Sequence, residues 1–143
     1  MLLRILALVA LLGAATLFYR WWQGRQGMVR RVDRPGALTQ AIIGAPRGAR
    51  ATFVQFSTPM CAKCPGTAVL LKRVAGEQPH VAWVEIDAAE RLDLARELNI
   101  MRTPTTLVLD SDGLVVARMD GAPTEAQARE ALEAAPLPPE YAI

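Results

Sequence analysis

The sequence predicts an α/β fold, a mixed central sheet flanked by helices, behind an N-terminal transmembrane helix. Three observations lead there. From Pro35 on, apolar segments run in the order helix, strand, helix, strand, helix, strand, strand, helix. The turn Asp110-Ser111-Asp112-Gly113 joins the last two strands as an antiparallel hairpin. The first 22 residues are almost all apolar, although 21% of the chain is charged.

The N-terminal run is Leu2 to Phe18, interrupted only by Arg4, which lies near enough to the end to snorkel. Tyr19, Trp21 and Trp22 follow, side chains that favour a membrane interface. Residues 2–22 are long enough to cross a hydrocarbon core of about 30 Å and are read as an anchor. The competing reading is a cleaved signal peptide, with Arg4 as its basic start and Gly13-Ala14-Ala15 as the cleavage site. The apolar stretch continues past that site, which favours a retained single-pass anchor in the cell membrane. Residues 23–34 read as a basic juxtamembrane linker. With Arg20, Arg25, Arg30, Arg31 and Arg34 on that side of the span, the positive-inside rule puts the C-terminal domain in the cytoplasm. An outward-facing domain is the alternative. The basic run could also lie against anionic head groups.

Residues 35–135 form the expected globular domain. Pro35 to Gly44 reads as a short helix with Leu38, Ile42 and Ile43 on one face. Ala51 to Phe56 is a strand, and a helix follows from about Cys61 to Ala75 with Val69, Leu70, Leu71 and Val74 inward. Val81 to Ile86 is a second buried strand, and Glu90 to Leu98 a helix burying Leu92, Leu94, Ala95 and Leu98. Strands Thr105–Leu109 and Leu114–Met119 form the hairpin. Thr124 to Ala134 is the last helix, opened by a capping box of Thr124 and Gln127, and Pro-rich residues 136–143 read as a flexible tail.

Composition removes several functions. Residues 1–34 hold six arginines and one acid, so the remainder of a chain of net charge +2 is at −3, and nucleic acid is not an expected partner. Two cysteines cannot make a disulfide scaffold, and with one histidine they cannot make a four-ligand zinc site. Five methionines are too scattered for a copper-binding tract. His80 reads as a loop residue and Trp83 as core. Glu85, Asp87, Glu90 and Asp93 read as a solvated edge, with Asp87 placed to cap the next helix, and Glu125, Glu130 and Glu133 as the outer face of the last helix.

The chemistry lies in Cys61-Ala62-Lys63-Cys64. The pair sits between a strand end and a helix start, where unpaired backbone N–H groups favour a thiolate at Cys61. The thiolate is the nucleophile of thiol–disulfide exchange. Cys64 lies within disulfide reach and can resolve a mixed disulfide. Lys63 adds a positive charge, and Pro65 fits the first helical turn. Two other readings stand beside this one: two reduced cysteines that merely pack, and a metal site. Met60-Cys61-x-x-Cys64 is faintly similar to the Met-x-Cys-x-x-Cys loop of small copper-carrying domains, although there the methionine is one residue farther away and the β/α order differs.

Residues from about Ala51 to Ala134 resemble the thioredoxin family. The strand FVQF runs into the Cys-x-x-Cys loop, and VEID follows a helix of fitting length. Thr103-Pro104-Thr105 stands where the family has its cis-proline, and TTLVLDSDGLVVARMDG matches its last hairpin and closing glycine. A final amphipathic helix completes the match. The resemblance implies a thioredoxin-like fold with Cys61 attacking and Cys64 resolving, no bound cofactor beyond the redox-active disulfide, and a cis Pro104 facing it. It also implies that the Thr103 backbone pairs with a substrate strand. The chain departs from the family at three places. Met60 replaces an aromatic and softens the substrate-facing lip. Gln55 stands for the buried aspartate and Trp83 for the lysine often paired with it. An acid assisting Cys64 is therefore missing, and slower resolution or a proton route through water is expected.

The expected function is a membrane-tethered thiol–disulfide oxidoreductase, a monomer acting on protein thiols and disulfides or on a neighbouring membrane redox partner or reductase. The alternative is a copper- or metal-carrying assembly factor with Cys61 and Cys64 as ligands. A third reading is an adaptor that presents the groove at Pro104.

Overall fold

The computed structural model describes residues 1–31 and 36–138. The N-terminal helix α1 (Leu2–Gly24) has an 18-residue window of mean hydropathy 2.1 and none of it is buried, so it is a candidate span. After it come strand β1 (Val29–Arg31), helix α2 (Gln40–Ile43), strand β2 (Ala51–Ser57), helix α3 (Cys64–Glu77) and strand β3 (Val81–Asp87). Helix α4 (Leu92–Glu97), strands β4 (Thr105–Leu109) and β5 (Val115–Asp120), and helix α5 (Glu125–Glu133) complete the chain.

The sheet order is β1-β5-β4-β2-β3. β2 and β3 run parallel, joined through α3, while the other neighbours are antiparallel. A parallel pair needs such a crossover. β2 is central and every residue in it is buried, which is why Ala51 to Phe56 reads as an almost unbroken apolar run. Its side chains alternate between two cores. Phe53 packs with Leu71, Val74, Met119 and Leu132 under α3 and α5. Val54 and Phe56 pack with Leu38, Ile43, Leu94 and Leu107 under α2 and α4. Each large side chain so buried contributes about 1.5–3 kcal/mol. The alternation places Gln55 and Ser57 on the α3 face, at the end of the strand that meets the start of α3.

The structure corrects several expectations. The segment read as a linker contains β1, which pairs Val29 with Met119 and Arg31 with Ala117 at the sheet edge. Val69 is 70% exposed, because the inward stripe of α3 is Cys64, Thr67, Ala68, Leu71, Val74 and Ala75, a helical period that leaves position 69 outside. Leu92 opens α4 and is 54% exposed. β3 is an edge strand, so Trp83 is only half-buried where it packs against the core under α3 and α5. Asp87 accepts from the Ala89 N–H at 2.7 Å, in the turn before α4 rather than at the helix itself. Thr39 caps α2 with its hydroxyl, and the Thr124–Gln127 capping box opens α5. Residues 32–35, with Asp33, Arg34 and the expected helix start at Pro35, and residues 139–143 of the expected tail lie outside the described residues.

Candidate redox site

β2 ends at Ser57, and the chain turns twice before α3. The Cys61 N–H donates to the Thr58 carbonyl at 3.1 Å, and the Cys64 N–H to the Cys61 carbonyl at 3.3 Å. Regular helix begins at Cys64, so Cys61 occupies the turn leading into the helix rather than its first position. Pro65 fits the first turn, where no intrahelical N–H bond is lost. Cys61 and Cys64 are joined as a disulfide, with Cα atoms 5.4 Å apart. Their surroundings differ. Cys64 is only 2% exposed, while Cys61 is half-buried and can be reached from outside.

Beneath Cys64 lies Gln55, fully buried. Its Nε2 donates to the Cys64 carbonyl at 3.0 Å, and its Oε1 accepts from Trp83 Nε1 at 3.2 Å. An indole N–H can only donate, so it fixes which way the amide points. The Lys72 ammonium lies 4.3 Å over the Trp83 ring. Thr106, paired with Gln55 across β2 and β4, buries a hydroxyl that has no hydrogen-bond partner among the described residues.

The expected substrate-facing residues lie at different depths: Thr103 is half-buried and Pro104 is buried. Met60 stands 93% exposed beside Cys61. The Thr103–Pro104 bond is cis. Thr58 links the Cys61 loop to Thr103: its carbonyl holds the Cys61 N–H, and its hydroxyl lies 3.3 Å from that of Thr103. Lys63 is turned toward Gln26, with Nζ 2.9 Å from Oε1. A cleft of about 580 Å³ opens beside the disulfide, lined by both cysteines together with Glu85, Asp87 and Glu90. These acids read as a solvated edge in the sequence. In the fold, the parallel pairing of Gln55 with Glu85 and of Ser57 with Asp87 brings the first two to the cysteines. Asp93 does not join them; the Leu94 backbone N–H, and then Arg91, hold its carboxyl below the ordinary range. His80 sits in the turn before β3, at the other end of that strand from Asp87. Among the described residues no group of three or more His, Cys, Asp and Glu is arranged to hold a metal ion.

The family model for the thioredoxin-like domain matches residues 38–136. The chain belongs to the thioredoxin-like family. A thioredoxin of Methanocaldococcus jannaschii is 35% identical over 79 residues, which cover 54% of this chain and 87% of that one. Spinach chloroplast thioredoxin f superposes with a TM-score of 0.57 at 29% identity, covering 67% of this chain and 78% of its own. Fasciola hepatica thioredoxin does so with a TM-score of 0.55 at 25% identity, covering 62% and 84%. The thioredoxin-like domain with its close Cys61–Cys64 pair is that of a thiol–disulfide oxidoreductase. The sequence did not single out Thr58, Gln26 or Gly27, because their roles come from contacts made across the fold and no local pattern marks them.

Proposed function

We propose that the chain is a membrane-tethered oxidoreductase that reduces or exchanges protein disulfides, with Cys61 as the attacking and Cys64 as the resolving thiol. The difference in exposure between the two cysteines supports this assignment. In the reduced form, the Cys61 thiolate attacks one sulfur of a substrate disulfide, a mixed disulfide forms, and one substrate thiolate leaves. Cys64 then attacks the Cys61 sulfur, the second substrate thiol is released, and the Cys61–Cys64 disulfide closes. Two electrons pass to the substrate, and the protons of the two thiols end on its sulfurs. The positive end of the α3 dipole favours the Cys61 anion. Gln55 holds the Cys64 backbone but cannot take its proton, so that proton leaves by the acid-lined cleft or by water. Met60 and Thr103 are the surface on which a substrate strand would lie, with the buried Pro104 behind Thr103, and the charge of Lys63 supports the loop.

The apolar, unburied α1 supports a retained single-pass anchor, and the arginines that follow it support a cytoplasmic domain. The reading includes a monomer whose only redox group is the cysteine pair. Insulin reduction by the full chain in detergent tests the exchange: turnover is expected, and Cys61→Ser abolishes it. Equal turnover by Cys61→Ser would reject the roles. Labelling of intact cells with an impermeant maleimide tests the side: no labelling before permeabilisation is expected, and labelling of intact cells would place the domain outside.

A further inference from the structure

The segment leaving α1 is bonded to the redox loop. Arg25 ends the helix with its guanidinium 4.0 Å over the Trp21 ring. Gln26 comes next. Its Oε1 accepts from Lys63 Nζ at 2.9 Å, and its carbonyl lies 3.5 Å from Gln127 Nε2. Gly27 is buried with φ of 74°, and its N–H donates to the Asp120 carbonyl at 2.8 Å. A Cβ at Gly27 would stand 2.6 Å from Pro123 Cα and 2.9 Å from the Ala122 carbonyl, so the backbone here passes too close to the β5–α5 turn for any other residue. From Val29 the chain is a strand of the sheet. There is no slack between helix and domain, since the two steps from Gly24 to Gln26 span at most about 7 Å.

We propose that Gln26, Gly27 and Lys63 form a clamp that fixes the Cys61–Cys64 loop at the bilayer surface, and that the protein exchanges disulfides with cysteines in surface-lying loops of an integral membrane protein. The inference rests on the anchor and exchange readings above. Trp21 and Trp22 mark the interface, and Lys63, between the two cysteines, is bonded to a residue just beyond them. Arg25, Arg30 and Arg31 are exposed beside the clamp, where anionic head groups would hold the domain down. A flexible linker over residues 23–34 would let the loop wander roughly 20 Å. The clamp removes that freedom and concentrates the thiolate at one height. The reaction is the two-electron exchange already written, with a disulfide of the membrane partner as oxidant and the reduced cysteine pair as reductant.

The test uses the full chain, reduced with dithiothreitol, desalted, and reconstituted into vesicles of neutral and anionic phospholipid. Two transmembrane peptides carry a disulfide-quenched fluorophore, one directly at the bilayer surface and one about 30 Å farther out on a helical spacer. In single turnover the near probe is expected to react about ten-fold faster than the far one. A roughly twelve-residue Gly/Ser insert between Gly24 and Arg25 is expected to bring that ratio below about two-fold while insulin reduction is unchanged. Gln26→Ala, which frees Lys63 without lifting the domain, is expected to lower the ratio part of the way. Equal near and far rates in the wild type, with insulin still reduced, would overturn the clamp alone. Failure to reduce any disulfide, insulin included, would overturn the exchange reading, and failure to float with vesicles would overturn the anchor.

Discussion

Gln55→Leu removes a donor and an acceptor from the floor of the redox site at nearly constant volume. The wild-type side chain is fully buried, donates to the Cys64 carbonyl at 3.0 Å and accepts from Trp83 Nε1 at 3.2 Å. An internal hydrogen bond contributes about 1 kcal/mol net, and a buried group left unpaired costs about 1–3 kcal/mol. The two losses are unequal. Trp83 is half-buried on an edge strand, where water can replace the acceptor, whereas the Cys64 carbonyl lies in a residue only 2% exposed and is left with its helical bond within α3 alone. Leucine leaves no cavity to add to this. The net loss is about 2 kcal/mol, which lowers Tm by roughly 10 °C in a domain of about a hundred residues. Scanning calorimetry of the full oxidised chain in mild detergent reads it. Trp83→Phe, which disturbs only the wet side of the network, is expected to cost less than half as much. A Gln55→Leu transition within about 2 °C of wild type would refute the network.

Two further outcomes follow from other polar groups. Glu125 lies below its ordinary carboxylate value, held there by a hydrogen bond from Arg129 and by the charge of Arg73, 2.7 Å away on α3. A lowered folded value gives stability that is present above the unfolded value and lost as pH falls through the folded one. Glu125→Gln is therefore expected to destabilise at neutral pH and to match the wild type in strong acid, read by melting at each pH; a difference independent of pH would contradict the ion pairs. Thr106 buries a hydroxyl with no partner among the described residues, so Thr106→Val is expected to raise stability by about 1 kcal/mol, and a clear loss in the same melting experiment would show that the hydroxyl is satisfied.

Much of the fold was legible because its signals are local. β2 reads as a strand from its β-branched and aromatic residues, α5 from its capping box, and the hairpin from Asp110-Ser111-Asp112-Gly113. The cysteine pair was legible because its chemistry needs two thiols on one turn. What escaped depends on pairing between distant segments. β1 has three residues, two of them arginine, and becomes a strand only because β5 offers an open edge. Val69 and Leu92 are apolar but face out, since the helical period, not residue type, decides which side packs. Glu85 and Asp87 reach the redox cleft through the register of β2 with β3, which the sequence does not display. Gln26 meets Lys63 across 37 positions of chain.

The central claim is that Cys61 attacks and Cys64 resolves. Expressing the full chain as Cys64→Ser in its own membrane, quenching thiols with acid and alkylant, and mapping the product by mass spectrometry tests it directly. A mixed disulfide through Cys61 to a partner cysteine, released by reductant and absent from Cys61→Ser, is the predicted result. No trapped partner on Cys61, or a partner trapped equally on Cys64 in the Cys61→Ser variant, would contradict it.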